Sequence, residues 1–119
     1  MQLKFELLPG VLRAEIRGRE TAQETRESAE AIFAERAKHG VLAVLLVVKE
    51  SRPIFKVEEY GLSGLFDRVV AIPGMRIASV GDSAELRSAH EYIELLAKQR
   101  GVALRAFASE REALAWLRG

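Results

Sequence analysis

Cysteine is absent from the 119 residues. Its absence excludes the disulfide framework of a small secreted scaffold, a thiolate nucleophile and a zinc ribbon. An excess of one charge is missing too: 18 Lys and Arg stand against 17 Asp and Glu, a net of +1. Nucleic-acid binders carry a basic excess, so no nucleic-acid partner is expected. The longest apolar run, Val41 to Val48, falls far below the roughly 20 residues of a membrane span. A secretory leader needs an unbroken apolar stretch, and Lys4 and Glu6 interrupt the opening segment, so the expected setting is the cytoplasm. Linkers, repeats and low-complexity stretches are also lacking. What remains is 49% hydrophobic and 29% charged. Those are globular proportions, in a length that fits one domain over residues 1–119 with a core of its own.

Leu3, Phe5 and Leu7 alternate with Gln2, Lys4 and Glu6, and Leu12, Ala14 and Ile16 alternate with Arg13, Glu15 and Arg17. Period-two alternation predicts strands with one wet face, and Pro9-Gly10 between them predicts a hairpin turn. Thr21-Ala22-Gln23-Glu24 reads as a capping box opening a helix with Ala29, Ile32, Phe33 and Ala37 inward, stopped by Gly40. Val41 to Val48 has no polar position, which predicts a central strand covered on both faces. Pro53 suits the first turn of the next helix. Ile54, Val57, Leu62, Leu65, Phe66 and Val69 continue a helical stripe from there, weakened at Gly61 and Gly64. Met75 to Val80 predicts a strand. Asp82 and Ser83 compete to cap a helix bearing Leu86, Ala89, Ile93, Leu96 and Ala97. Val102 to Phe107 predicts the last strand, and Ser109-Glu110-Arg111-Glu112 another capping box, before a helix with Ala113, Leu114, Trp116 and Leu117. The fold class is α/β: β-β-α-β-α-β-α-β-α, a mostly parallel sheet with an antiparallel N-terminal strand.

Arg76-Ile77-Ala78-Ser79-Val80-Gly81-Asp82, Leu96-Ala97-Lys98-Gln99-Arg100-Gly101-Val102, Phe107 and Glu112-Ala113-Leu114-Ala115-Trp116-Leu117 resemble the closing signature of stand-alone bacterial STAS-like proteins. These belong to the wider group of sulfate-transporter and anti-sigma-factor-antagonist domains. The resemblance implies a mixed sheet wrapped by helices, and a module that binds partners or nucleotides and turns over no substrate. Regulatory members of that group carry an Asp-Ser-x-Gly-like segment after the central strand, where a kinase phosphorylates the Ser. The nearest text here is Gly61-Leu62-Ser63-Gly64. Ser63 is therefore a candidate regulatory position, although Leu62 replaces the Asp and the pattern places the segment inside a helix.

Ligands of open parallel sheets gather outside the carboxyl ends of the strands. That edge collects Thr21, Lys49, Ser51, Arg52, Asp82, Ser83 and Ser109, with Arg19 adding charge, beside helix starts that favour anions. Ser51, between Lys49 and Arg52, is expected to be the most exposed hydroxyl there and a second phosphorylation candidate. Catalytic templates fail. Gly61-Leu62-Ser63-Gly64-Leu65 lacks the last Gly of a nucleophile elbow. His39 reads as a helix-end side chain, and His90 with Glu94 as an exposed i, i+4 pair without a third metal ligand. Gly81 stands without a phosphate-binding glycine loop. Neither a catalytic residue, a metal nor a cofactor is expected. Three functions remain, in descending order. The first is a non-enzymatic interaction module docking a protein partner or a second copy of itself. The second is a carrier or sensor of a small apolar or anionic ligand, since Phe55, Tyr60, Leu62, Leu65 and Phe66 concentrate bulk over a possible cavity. The third is a hydrolase using Ser63. Lipid-exchange (CRAL-TRIO) proteins share a topology related to that of the STAS-like group, in line with the second.

Overall fold

A stretch without polar side chains needs protein on both faces, and Ala43 to Val48 has it in the computed structural model, which describes residues 1–119, whereas Leu42 is exposed and, with Val41, precedes the strand. Strands β1 (Gln2–Leu8), β2 (Val11–Arg17), β3 (Ala43–Lys49), β4 (Arg76–Gly81) and β5 (Ala103–Phe107) form one sheet in that spatial order. β1 runs antiparallel to β2, and the other pairs are parallel. β3 is the middle strand, and its Val44, Leu45, Val47 and Val48 are at most 2% exposed. Helices α1 (Ala22–His39), α2 (Leu62–Val70), α3 (Ala84–Gln99) and α4 (Glu110–Arg118) complete the element order expected from the sequence.

Neighbouring parallel strands follow one another in sequence, so each right-handed crossover lays its helix on the same face of the sheet. Val44, Ile54, Leu62, Phe66, Val69 and Ile93 pack together on that face, beneath α1, α2 and α3. On the other face Val11, Leu45, Val47, Ala78 and Val80 pack against Ala113 and Leu117 of α4. Fully burying one such side chain stabilises the fold by roughly 1.5–3 kcal/mol. Beside α4 the polar positions of β2 are paired: Arg13 donates to both carboxylate oxygens of Glu110, at 2.8 and 3.1 Å, and to Glu15 at 3.1 Å.

Helix ends follow the sequence closely. Thr21 and Glu24 form the complete reciprocal box. Ser83 caps α3 by accepting from the Leu86 amide at 3.1 Å, while Asp82 instead accepts from the Glu50 amide at 3.0 Å. Ser109 caps α4, and the Glu112 carboxylate accepts from the Ser109 hydroxyl.

Three expectations are corrected. The second helix starts at Leu62 and not at Pro53. Residues 51–53 are held out of helix by tertiary bonds to the β2–α1 connection: the Arg52 amide donates to the Arg19 carbonyl at 2.8 Å, and the Arg19 amide to Ser51 Oγ at 3.1 Å. Ile54 is buried, residues 57–60 turn, and Gly61 precedes the helix at φ 70°, a left-handed conformation that glycine adopts without strain. On α1, Ala29, Ile32 and Phe33 are only half-buried and Ala37 is exposed; the fully buried residues are Thr25 and Ser28. His90, expected on an exposed helix face, is 6% exposed.

Candidate functional site

The expected edge residues fall into two groups. Lys49, Ser51, Arg52 and Asp82 meet at the carboxyl ends of β2, β3 and β4. There the Gly18 amide donates to the Lys49 carbonyl at 3.1 Å and the Asp82 amide to the Val48 carbonyl at 3.2 Å. Thr21, Ser83 and Ser109 are helix caps. Most of these side chains already have partners within the chain. Lys49 lies 3.5 Å from Glu15. Ser51, expected to be exposed, is half-buried: its hydroxyl accepts from the Arg19 amide and donates to the Lys49 carbonyl at 2.9 Å. Ser63 lies in the first turn of α2, close to its start, and donates to Glu58. Neither histidine joins it: His39 pairs with Glu35 at 3.4 Å, and His90 is buried on α3. Glu94 accepts from the Ala106 amide at 2.6 Å, so its carboxylate is directed to β5.

An unfilled space lies between the helix layer and the sheet. A chamber of about 140 Å³ is bounded by α1, α2, α3 and the facing side chains of β2 to β5. Fifteen of its twenty lining residues are hydrophobic, among them Ile32, Phe33, Leu46, Leu65, Phe66, Ile77 and Leu104. The register explains the floor, since Val44 pairs with Ile77 and Ile77 with Leu104, placing these side chains in one row on one face. The roof is α1, whose inward surface is Thr25, Ser28, Ala29, Ile32 and Phe33. Three of the five, Thr25, Ser28 and Ala29, are short and fill less of the space than Leu or Met would. The cluster expected on the second helix divides: Leu62, Leu65 and Phe66 line the chamber, Tyr60 packs beside it, and Phe55 lies outside against Tyr92 with ring centroids 6.4 Å apart.

One end of the chamber is polar. Arg19, Ser79 and His90 all line it, at 5%, 3% and 6% exposure. Arg19 Nε, Ser79 Oγ and His90 Nδ1 have no hydrogen-bond partner. Buried polar groups normally have partners, so three orphans in one chamber are unusual. Arg19 reaches it from the β2–α1 connection, tethered by one bond from Nη2 to the Arg52 carbonyl at 2.7 Å. Burial pulls the Arg19 pKa below its ordinary value, opposed by Tyr60 and Glu24, yet a guanidinium stays protonated in a protein. Burial, reinforced by the Arg19 charge, pushes the His90 imidazole down to about 4. At neutral pH it is therefore uncharged. His90 is held close to the sheet because Gly81 has no side chain: a Cβ there would lie 2.7 Å from Leu86 Cβ and 3.3 Å from His90 Cε1.

A family model described as SpoIIAA-like matches residues 11–118. The chain belongs to the SpoIIAA-like family. Its mixed five-stranded sheet and four helices are those of the STAS-like α/β fold. SpoIIAA-like domains are generally non-enzymatic regulatory modules, and STAS domains typically bind protein partners. No curated protein and no solved structure matches the chain. No helix is long and apolar enough to cross a membrane.

Arg19 and His90 were visible in the sequence as a loop charge and a helix histidine; their convergence was not. Ser79 offered a local signal, being the one polar residue between Ile77 and Gly81 in a strand buried on both faces. Thr25 and Ser28 offered another, as short polar residues three apart on a helix that must face the sheet.

Proposed function

We propose that this domain is a non-enzymatic sensor, or carrier, that takes a small and mostly apolar molecule into the chamber between α1, α2 and the sheet. The observation that carries the reading is the space itself. Protein interiors are packed to crystal density, with few voids larger than a water. An engineered cavity of about 150 Å³ lined by apolar side chains binds benzene, and the chamber of about 140 Å³ is of that size. Its guest has roughly six to nine heavy atoms. The helices that roof the chamber are also outer surfaces of the domain, so occupancy bears on the faces open to a protein partner or a second copy. In this reading Ser63 on α2 and Ser51 beside Arg19 are the places where modification would act on the same roof and loop. Hydrolysis at Ser63 is disfavoured, since its only hydrogen-bond partner is Glu58.

Toluene is the appropriate neutral probe. At ten times its dissociation constant it is expected to stabilise the protein by about 1.4 kcal/mol, raising Tm by about 4–6 °C. The Ala29→Phe variant, whose ring would occupy the guest's place, is expected to lose that rise. A wild-type Tm indifferent to saturating toluene would overturn the reading, and an undiminished rise in the variant would move the site elsewhere.

A further inference from the structure

The chamber's polar end carries one full positive charge. None of the twenty lining residues is acidic, and no carboxylate lies within ion-pair distance of Arg19. Glu24, the acidic group that acts on Arg19, is occupied elsewhere. Its carboxylate accepts from the Glu20 and Thr21 amides at 2.8 and 3.1 Å and lies 3.4 Å from the N-terminal amine. A buried charge without a counter-charge is strongly unfavourable, so Arg19, a buried residue whose Nε is shut from solvent and unpaired, is poised for an anion. Ser79 Oγ and His90 Nδ1 are the other unpaired atoms lining the same chamber. A hydroxyl can donate to that anion, and so can a neutral imidazole in the appropriate tautomer.

Resting on the reading of the chamber as a binding site, we infer that its guest is a compact monoanion, a carboxylic acid in ionised form. The carboxylate sits against Arg19 Nε, with Ser79 and His90 as further partners, and the apolar body extends toward Phe33, Leu65 and Leu104. The charge count separates this class from phosphate esters: a dianion would bring a second negative charge to a site with one cation, and its bulk would take much of the volume. Carboxylate recognition by arginine is directional and charge-assisted, whereas a neutral alcohol of the same shape would leave the guanidinium uncompensated.

The test compares benzoate with benzyl alcohol, near-isosteres differing in charge, by calorimetric titration of the wild type and Arg19→Met. Benzoate is expected to bind the wild type at least tenfold more tightly than benzyl alcohol. Arg19→Met should abolish that preference through a loss of benzoate affinity of at least tenfold. In wild-type protein, benzoate but not benzyl alcohol should also shift the Arg19 Nε–H resonance downfield, a readout that needs no variant to fold. Equal affinities, or an Arg19 Nε–H resonance unmoved by saturating benzoate, would overturn the monoanion while leaving the chamber as a site for neutral guests. Failure of toluene, benzyl alcohol and benzoate alike would overturn both readings.

Discussion

Lowering the pH from 6.5 to 5 is expected to remove about 2 kcal/mol of folding stability through one residue, His90, and about 3 kcal/mol by pH 4. The unfolded chain binds a proton at this imidazole near its ordinary pKa of 6.5, whereas the folded chain does so only at about 4. Between those values the unfolded state holds more protons, so stability falls as pH falls. The contribution is fully present above 6.5 and has been lost once pH passes below the folded value. Carboxylates of unfolded chains titrate near 4, so the upper part of the window belongs to the histidine. His90→Leu is the matching variant, because Nδ1 has no partner to lose and an apolar side chain incurs no proton-linked penalty. Urea denaturation at half-unit pH steps should show the wild-type slope between 6.5 and 5 and a flat line for the variant. Equal slopes would place His90 in contact with water.

Truncating Leu45 to Ala is expected to cost about 3–5 kcal/mol, a fall in Tm of roughly 10–20 °C. Leu45 is fully buried in the middle strand and packs in the cluster closed by Ala113 and Leu117. Ala43, Ala78 and Ala113 share that cluster, and their methyl groups cannot extend into the hole. Leu7→Ala on the edge strand β1 is the internal control. Leu7 is 52% exposed, and its truncation is expected to cost under about 0.5 kcal/mol. Comparable losses at the two positions would mean that β3 is not the interior of the sheet.

The fold was legible because its signals are local. Alternation in β1 and β2, the unbroken apolar run of β3, and Ser or Thr before each of α1, α3 and α4 each act within a few residues. The second helix misled for a physical reason. Ile54, Leu62, Phe66 and Val69 do face the core, so the apolar stripe correctly reported which residues turn inward. It did not report backbone conformation, which bonds from Arg19 and Ser51 decide across more than thirty residues of chain. The site was hidden for the same kind of reason. Arg19, Ser79 and His90 lie on a loop, a strand and a helix, and no spacing rule links them. The edge residues looked like a site because caps and loop charges resemble anion-binding groups in sequence; in the fold most of them are spent on helix ends and on the β2–α1 and β3–α2 connections.

In this fold α1 roofs an unfilled chamber in place of completing a packed core. Diffraction from crystals held under xenon pressure tests this most directly. A peak is expected between Phe33 and Phe66 above and Leu46 and Ile77 below, from xenon or from a molecule carried through purification. Continuous side-chain density across that space, with no peak, would contradict the claim.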